Sequence, residues 1–257
     1  MKVVILAGGI GSRIAEESHL RPKPMIEVGG RPILWHIMKL YAHYGVYDFV
    51  VCLGYKGYVV KEYFSNYVLH RSDVTVDLTS NDITYHNSAS EPWRVTLIET
   101  GADTQTGGRL KRAAPYLDAG ESFCMTYGDG VGDIDIAALL TRHREAGLAA
   151  TVTVVRPPGR FGATEIDDGK VTRFVEKAVG DSGAINGGFF VLEPAALDTI
   201  EDDATIWEQE PLRGLAERGE LAAYSHDGFW QPMDTLREKI LLERLWASGT
   251  APWKVWV

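Results

Sequence analysis

Apolar positions along the chain follow two rhythms, and each assigns elements. Lys2 to Ala7 is a continuous apolar run, the pattern of a strand buried on both faces. Tyr47–Leu53 (YDFVVCL), Ser122–Tyr127 (SFCMTY) and Ala149–Val155 (AATVTVV) repeat that pattern. Between these runs, apolar residues recur at helical spacing in Ile33–Tyr44, Lys56–Asn66, Gly108–Leu117 and Ile134–Ala146. The alternation predicts an α/β fold: a mostly parallel central sheet with helices on both faces, Rossmann-like in plan. Further strands are predicted near Val171–Val175 and Gly188–Leu192, and helices near Ile206–Arg218 and Thr235–Ala247. Asp73–Thr100 breaks the rhythm. Val74, Val76 and Leu78 alternate, Val95, Leu97 and Ile98 do so approximately, and Asn81-Asp82 and Asn87-Ser88 have turn chemistry. A small antiparallel insertion is predicted there. No Pro/Ser/Gly-rich linker or internal repeat divides the chain, so one domain over 1–257 is expected.

Composition narrows this picture. The 257 residues are 45% hydrophobic and 24% charged, which suits a globular protein with a sizeable core. Against 26 Lys and Arg stand 35 Asp and Glu, a net charge of −9. Phosphate-backbone affinity comes from clustered cations, so a nucleic-acid partner is not expected. A site for a phosphorylated ligand must gather its positive charge locally. The first apolar run is too short for a signal-peptide core, and no run approaches a membrane span, so a cytoplasmic protein without a membrane partner is expected. Cys52 and Cys124 sit inside apolar runs and read as buried thiols, and no Cys/His cluster has zinc spacing.

The first strand runs into Gly8-Gly9-Ile10-Gly11-Ser12-Arg13. Glycines bring backbone N–H groups close to a ligand, successive exposed amides form an anion nest, and Arg13 adds a charge. Pro22 and Pro24 restrict Lys23 between them. No G-x-x-x-x-G-K-[ST] string occurs, which removes a P-loop. From Gly9 the string G-I-G-S-R-I lacks the third small residue of a dinucleotide fingerprint, which disfavours a nicotinamide enzyme. Asp129 follows an apolar strand in Gly-Asp-Gly. It is either a turn residue or a ligand at the carboxyl edge of the sheet. Asp234 precedes Thr235 and Glu238, which have capping-box spacing, so it serves either a helix start or a site.

Leu6-Ala7-Gly8-Gly9-Ile10-Gly11-Ser12-Arg13 with Pro22-Lys23-Pro24-Met25 resembles the signature of sugar-phosphate nucleotidylyltransferases. Tyr127-Gly128-Asp129-Gly130, Pro157–Gly162, Ile185–Phe190, Gly228–Thr235 and the ending Ala251–Trp256 follow in order and resemble the cytidylyltransferase branch. The resemblance spans essentially the whole chain. Two positions depart from the pattern: Ser12 stands where many relatives have Thr, and Glu176-Lys177-Ala178 replaces Glu-Lys-Pro.

The resemblance implies transfer of a nucleotide from CTP to glucose 1-phosphate, with CDP-glucose and pyrophosphate as products. It implies one Mg²⁺ held by Asp129 and Asp234, a chemistry in which hard carboxylate oxygens are joined by substrate phosphates. Leu6 to Arg13, Lys23 and Gly128 would bind the nucleotide, with Arg13 over the departing phosphates. Thr104 to Arg109 would read base and ribose. Lys177, Glu176 and Asn186 would hold the sugar phosphate. The attacking phosphate oxygen is already anionic near pH 7, so no histidine base is required. The rivals are a non-catalytic nucleotide-binding regulatory subunit on the same fold, an enzyme of the same class using another nucleoside triphosphate (UTP or dTTP) or another sugar 1-phosphate, and the nicotinamide oxidoreductase that the glycine pattern disfavours. The resemblance also implies a homo-oligomer. The apolar ending Trp253–Val257 suits either an interface or a tail folded onto its own core.

Overall fold

A computed structural model describes residues 1–9, 11, 14, 17, 19–156 and 183–256, and the backbone of 163–167 and 170–175. In chain order, β1 (Lys2–Leu6) is followed by a short hairpin, β2 (Glu27–Val28) and β3 (Arg31–Pro32), then α1 (Ile33–His43), β4 (Asp48–Leu53), α2 (Gly57–Ser65) and α3 (Tyr67–His70). β5 (Asp73–Asp77) and β6 (Asp82–His86) form a second hairpin, followed by β7 (Arg94–Glu99), α4 (Thr106–Ala113), β8 (Phe123–Tyr127), β9 (Gly130–Gly132), α5 (Ile136–Ala146) and β10 (Ala150–Val155). β11 (Ala163–Asp167), β12 (Lys170–Val175), β13 (Ile185–Leu192), α6 (Glu210–Glu217), β14 (Leu221–His226), β15 (Trp230–Pro232) and α7 (Leu236–Ala247) complete the chain.

Seven strands make the central sheet, in the order β14-β10-β13-β8-β1-β4-β7. Neighbours are parallel except around β13, which runs antiparallel to both β10 and β8. The continuous apolar runs now have a physical reason. Val3 and Ile5 of β1 face one apolar core with Ile33, Ile37 and Tyr41 of α1, while Val4 and Leu6 face a second with Leu110 of α4 and Trp207. A strand covered on both faces has no position to give to water.

The structure departs from the sequence pattern at one strand assignment and at the ends of several helices. Only β5 and β6 form the separate antiparallel hairpin; β7 instead joins the central sheet, parallel to β4. Ile98 is buried in the second core and Val95 and Leu97 pack on the first, which explains their imperfect alternation. The helix expected over Gly108–Leu117 starts earlier and stops at Ala113, where Pro115 imposes a tighter turn over Ala114–Tyr116. The helix expected from Ile134 begins at Ile136, where the Asp135 carboxylate accepts the Ala138 N–H at 2.9 Å. The helix expected from Ile206 begins at Glu210, with Pro211 in its first turn, which leaves 202–209 as a loop against α4.

The C-terminal tail folds back onto the chain's own core. Trp253 and Trp256 are buried, and both rings approach His36 of α1, as does Trp246 of α7. Trp253 Nε1–H donates to His36 Nδ1 at 3.3 Å, and the other imidazole nitrogen lies 2.8 Å from the Val28 carbonyl. That pairing fits the neutral ring with its proton on Nε2. Burial lowers the His36 pKa to about 4. Among the described residues no helix is long and apolar enough to cross a membrane.

Candidate active site

Parallel strands place their carboxyl ends on one edge of a sheet, and the chain leaves β1 and β8 there side by side. Beyond that edge lies a cavity of about 530 Å³. Its wall contains Leu6, Ala7, Gly8, Gly9 and Gly11 after β1, Lys23 and Pro24, the segment Ala102–Thr106, Arg109, then Tyr127, Gly128, Asp129 and Asp234. Gly128 N–H donates to the Leu6 carbonyl at 3.0 Å, which ties the two strand exits together. A smaller cleft of about 50 Å³ adjoins it, lined by Asn186, Gly187, Gly188, Trp230 and, shared with the larger cavity, Tyr127 and Asp129.

Asp129 and Asp234 are distant in sequence and meet because of a short ribbon. β9 pairs antiparallel with β15, Gly130 opposite Pro232, and Met233 N–H donates to the Asp129 carbonyl at 2.8 Å. Asp234 is then held at the start of α7 by a capping box: Glu238 Oε2 accepts the N–H groups of Asp234 at 2.7 Å and Thr235 at 2.9 Å. Asp234 stands just ahead of this capped helix, which mounts it rigidly at the wall of the larger cavity.

Lys23 Nζ lies 2.6 Å from Asp129 Oδ2 and 2.5 Å from Asp234 Oδ1. Burial would lower the lysine pKa, but the charge of Asp129 and the hydrogen bonds to both aspartates outweigh it and raise the value. The ammonium thus stays charged and holds the two carboxylates in a converged arrangement. Two hard oxygen donors aimed at one point fit a divalent cation whose remaining ligands are phosphate oxygens and water. Among the described residues no group of three or more His, Cys, Asp or Glu could hold a metal. No histidine lines either cavity among the described residues.

Arg109 reaches the large cavity in an unanticipated way. Its guanidinium is buried against the glycine loop: Nη1 donates to Leu53 O at 3.1 Å, Thr100 Oγ1 at 2.7 Å and Gly101 O at 2.8 Å, and Nη2 to Ala102 O at 3.2 Å. A Cβ on Gly8 would stand 2.2 Å from Nη1, so glycine at position 8 is what lets this arginine lie across the backbone. Thr104 is buried beside it. On the other side, Asn186 Oδ1 accepts the Gly188 N–H at 2.7 Å, and its Nδ2 points to the Tyr127 hydroxyl at 3.4 Å. Trp230 Nε1–H donates to the Gly187 carbonyl at 2.7 Å and closes the cleft.

The site therefore gathers Leu6, Ala7, Gly8, Gly9, Gly11, Lys23, Thr104, Arg109, Gly128, Asp129, Asn186 and Asp234. Ile10, Ser12, Arg13, Glu176 and Lys177 lie outside the described residues, as does Pro157–Gly162. Sequence reasoning missed Asp103 and Trp230 as lining residues, and missed Glu208, whose carboxylate accepts from Thr106 and Tyr127. Trp230 and Tyr127 stand inside quoted motifs and could have been found there. Glu208 carries no motif signal.

A glycine-lined cavity beside paired carboxylates and a charged lysine suits phosphoryl or nucleotidyl transfer. Residues 2–231 match the sequence model of the nucleotidyl transferase family, and the chain belongs to that family. It is 58% identical, over 100% of both chains, to glucose-1-phosphate cytidylyltransferase of Salmonella typhi. It is 31% identical to the mannose-1-phosphate guanyltransferase of Yarrowia lipolytica, over 92% of this chain and 62% of that one. Its fold is shared with HddC from Yersinia pseudotuberculosis, at a TM-score of 0.70 and 23% identity, covering 95% of this chain and 99% of the other.

Proposed function

We propose that this chain, working as a single domain, transfers the cytidylyl group of CTP to α-D-glucose 1-phosphate and releases pyrophosphate. The observation that carries this reading is the convergence of Asp129, Asp234 and Lys23 at the rim of the glycine-lined cavity. The choice of CTP and glucose 1-phosphate rests on the full-length likeness to the Salmonella typhi enzyme.

The anionic phosphate oxygen of the sugar attacks the α-phosphorus of the nucleotide. An O–P bond forms, the bond from the α-phosphorus to the bridging oxygen breaks, and that oxygen leaves with pyrophosphate. No proton need move. The obstacle is the approach of two anions, so the protein's contribution is positioning and charge neutralisation. Asp129 and Asp234 would hold a divalent ion, proposed as Mg²⁺, which supplies positive charge at the reacting phosphates. Lys23 Nζ sits on one oxygen of each carboxylate, and with a cation held there its ammonium would be able to face phosphate. The backbone amides of Gly8, Gly9 and Gly11 suit the triphosphate, and Arg13 is proposed over the departing pyrophosphate. Arg109 and Thr104 border the proposed base pocket, where Arg109 shapes the wall through its carbonyl contacts. Asn186, with Glu176 and Lys177, is proposed to hold the glucose phosphate in the smaller cleft.

The proposed assembly is a homo-oligomer in the cytoplasm, where the buried Cys52 and Cys124 stay as free thiols. The hairpin β5–β6 supports association. Val74 pairs with Tyr85 and Val76 with Ile83, so four apolar side chains share one exposed face. Sedimentation showing only monomer would defeat that part. The activity is tested by pyrophosphate release from CTP and glucose 1-phosphate with Mg²⁺. Release is expected only when all three are present, and CTP binding without release would instead favour a non-catalytic subunit.

A further inference from the structure

Glu208 lies in the loop ahead of α6, and its carboxylate joins the two halves of the site. Its Oε2 accepts the Thr106 hydroxyl at 2.6 Å, and its Oε1 accepts the Tyr127 hydroxyl. Thr106 Oγ1 already accepts the Trp207 N–H at 3.0 Å, so its single proton is directed at Glu208. The Tyr127 oxygen is approached by Asn186 Nδ2 at 3.4 Å, which leaves its proton for the same carboxylate.

The surrounding backbone makes this contact a mount. Gly107 and Gly108 at the start of α4 donate their N–H groups to the Thr205 carbonyl at 3.0 and 3.3 Å. A Cβ on Gly108 would stand 2.5 Å from the Asp203 Cα, so the loop that carries Glu208 lies flat against the α4 terminus. Thr106 faces the larger cavity, and Tyr127 stands between the larger cavity and the smaller cleft.

We propose that Glu208 is a positioning residue that locks the nucleotide-side helix α4 to the sugar-side Tyr127, so that each substrate is bound better when the other half of the site is set. The inference rests on the reading of the larger cavity as the nucleotide site and the smaller cleft as part of the sugar-phosphate site. A carboxylate gives each hydroxyl its own oxygen. An amide offers one acceptor oxygen, so Glu208→Gln keeps at most one of the two bonds at a time.

The test measures KM for CTP and for glucose 1-phosphate, each with the other saturating, alongside melting temperature. Wild-type turnover is read first. Its absence would sink the substrate assignment itself, independently of Glu208. Glu208→Gln is expected to raise both KM values, on the order of tenfold each, because a charge-assisted hydrogen bond is lost on either side. Tyr127→Phe and Thr106→Val should each raise both KM values, since either cuts the link at one end, whereas Thr106→Ser keeps the hydroxyl and both values. Tyr127→Phe placed on Glu208→Gln should add little, since the shared contact is already gone. Unchanged KM values in Glu208→Gln would overturn the proposal, whether or not the melting temperature falls. So would full additivity in the double variant.

Discussion

Gly8→Ala is the substitution whose consequence follows most closely from the geometry. An added Cβ would stand 2.2 Å from Arg109 Nη1, 2.3 Å from Cζ and 2.8 Å from Nε. Ordinary contact needs more than an ångström of extra separation, and the end of a free arginine would simply swing away. This one is tethered by four donated hydrogen bonds, to Leu53 O, Thr100 Oγ1, Gly101 O and Ala102 O. Retreat across the cavity breaks two of the bonds that Nη1 makes, to the Thr100 hydroxyl and the Gly101 carbonyl. With roughly 1–2 kcal/mol for each lost bond from a charged donor, and two bonds lost, the fold is destabilised by about 2–4 kcal/mol. For a chain of this size that lowers the melting temperature by roughly 5–10 °C. The CTP KM should rise as well, because Arg109 moves into the cavity. Gly9→Ala is the internal control for stability: nothing lies within 4 Å of its Cβ position, and its melting temperature should match wild type. Arg109→Ala should mask the Gly8→Ala effect, giving a double variant no less stable than Arg109→Ala alone. Differential scanning fluorimetry on wild type and the four variants reads all of this. A Gly8→Ala protein melting with wild type, or a double variant showing the full sum of both losses, would refute the reasoning.

Asp129→Asn and Asp234→Asn should each lower kcat by on the order of 10³-fold, since a lost metal carboxylate costs several kcal/mol of transition-state stabilisation. Circular dichroism should show both folded, and near-normal turnover in either would remove it from the proposed metal site. Acid should destabilise the protein through His36. Its pKa is about 4 when folded, against about 6.5 unfolded, so the unfolded chain takes up the proton first as pH falls. Stability is then complete above about pH 6.5 and declines towards pH 4, by about 3 kcal/mol in all from this one group. Urea titrations across that range should show the slope, and His36→Gln should flatten it; an equal slope in the variant would contradict the assignment.

Much of the fold was legible because burial on both faces writes a strand as an uninterrupted apolar string, as in Lys2–Ala7 and Tyr47–Leu53. Strand order was not, since nothing local says that β13 enters between β10 and β8 or that β7 joins the main sheet. The edges of α4 and α6 shifted because Pro115 and Pro211 set limits that apolar spacing ignores. At the site, the glycine loop and Lys23 spoke through their own chemistry, whereas the pairing of Asp129 with Asp234 came from resemblance. Its physical origin is the β9–β15 ribbon, a contact between segments far apart in the chain. Arg109 was expected at the site and lines the cavity, but its bonds to Leu53 O, Thr100 Oγ1, Gly101 O and Ala102 O depend on tertiary packing. Glu208 was invisible because an exposed glutamate in a loop looks the same whether or not two hydroxyls converge on it.

The most direct test of the central claim is a competition experiment. The purified protein is given glucose 1-phosphate, Mg²⁺ and an equimolar mixture of CTP, UTP, dTTP, GTP and ATP, and the nucleotide sugars formed are identified by mass. The account predicts CDP-glucose as the dominant product, with pyrophosphate in equal amount. Dominant UDP-glucose or dTDP-glucose would contradict the cytidylyl assignment while keeping the reaction class, and absence of any nucleotide sugar would contradict the account as a whole.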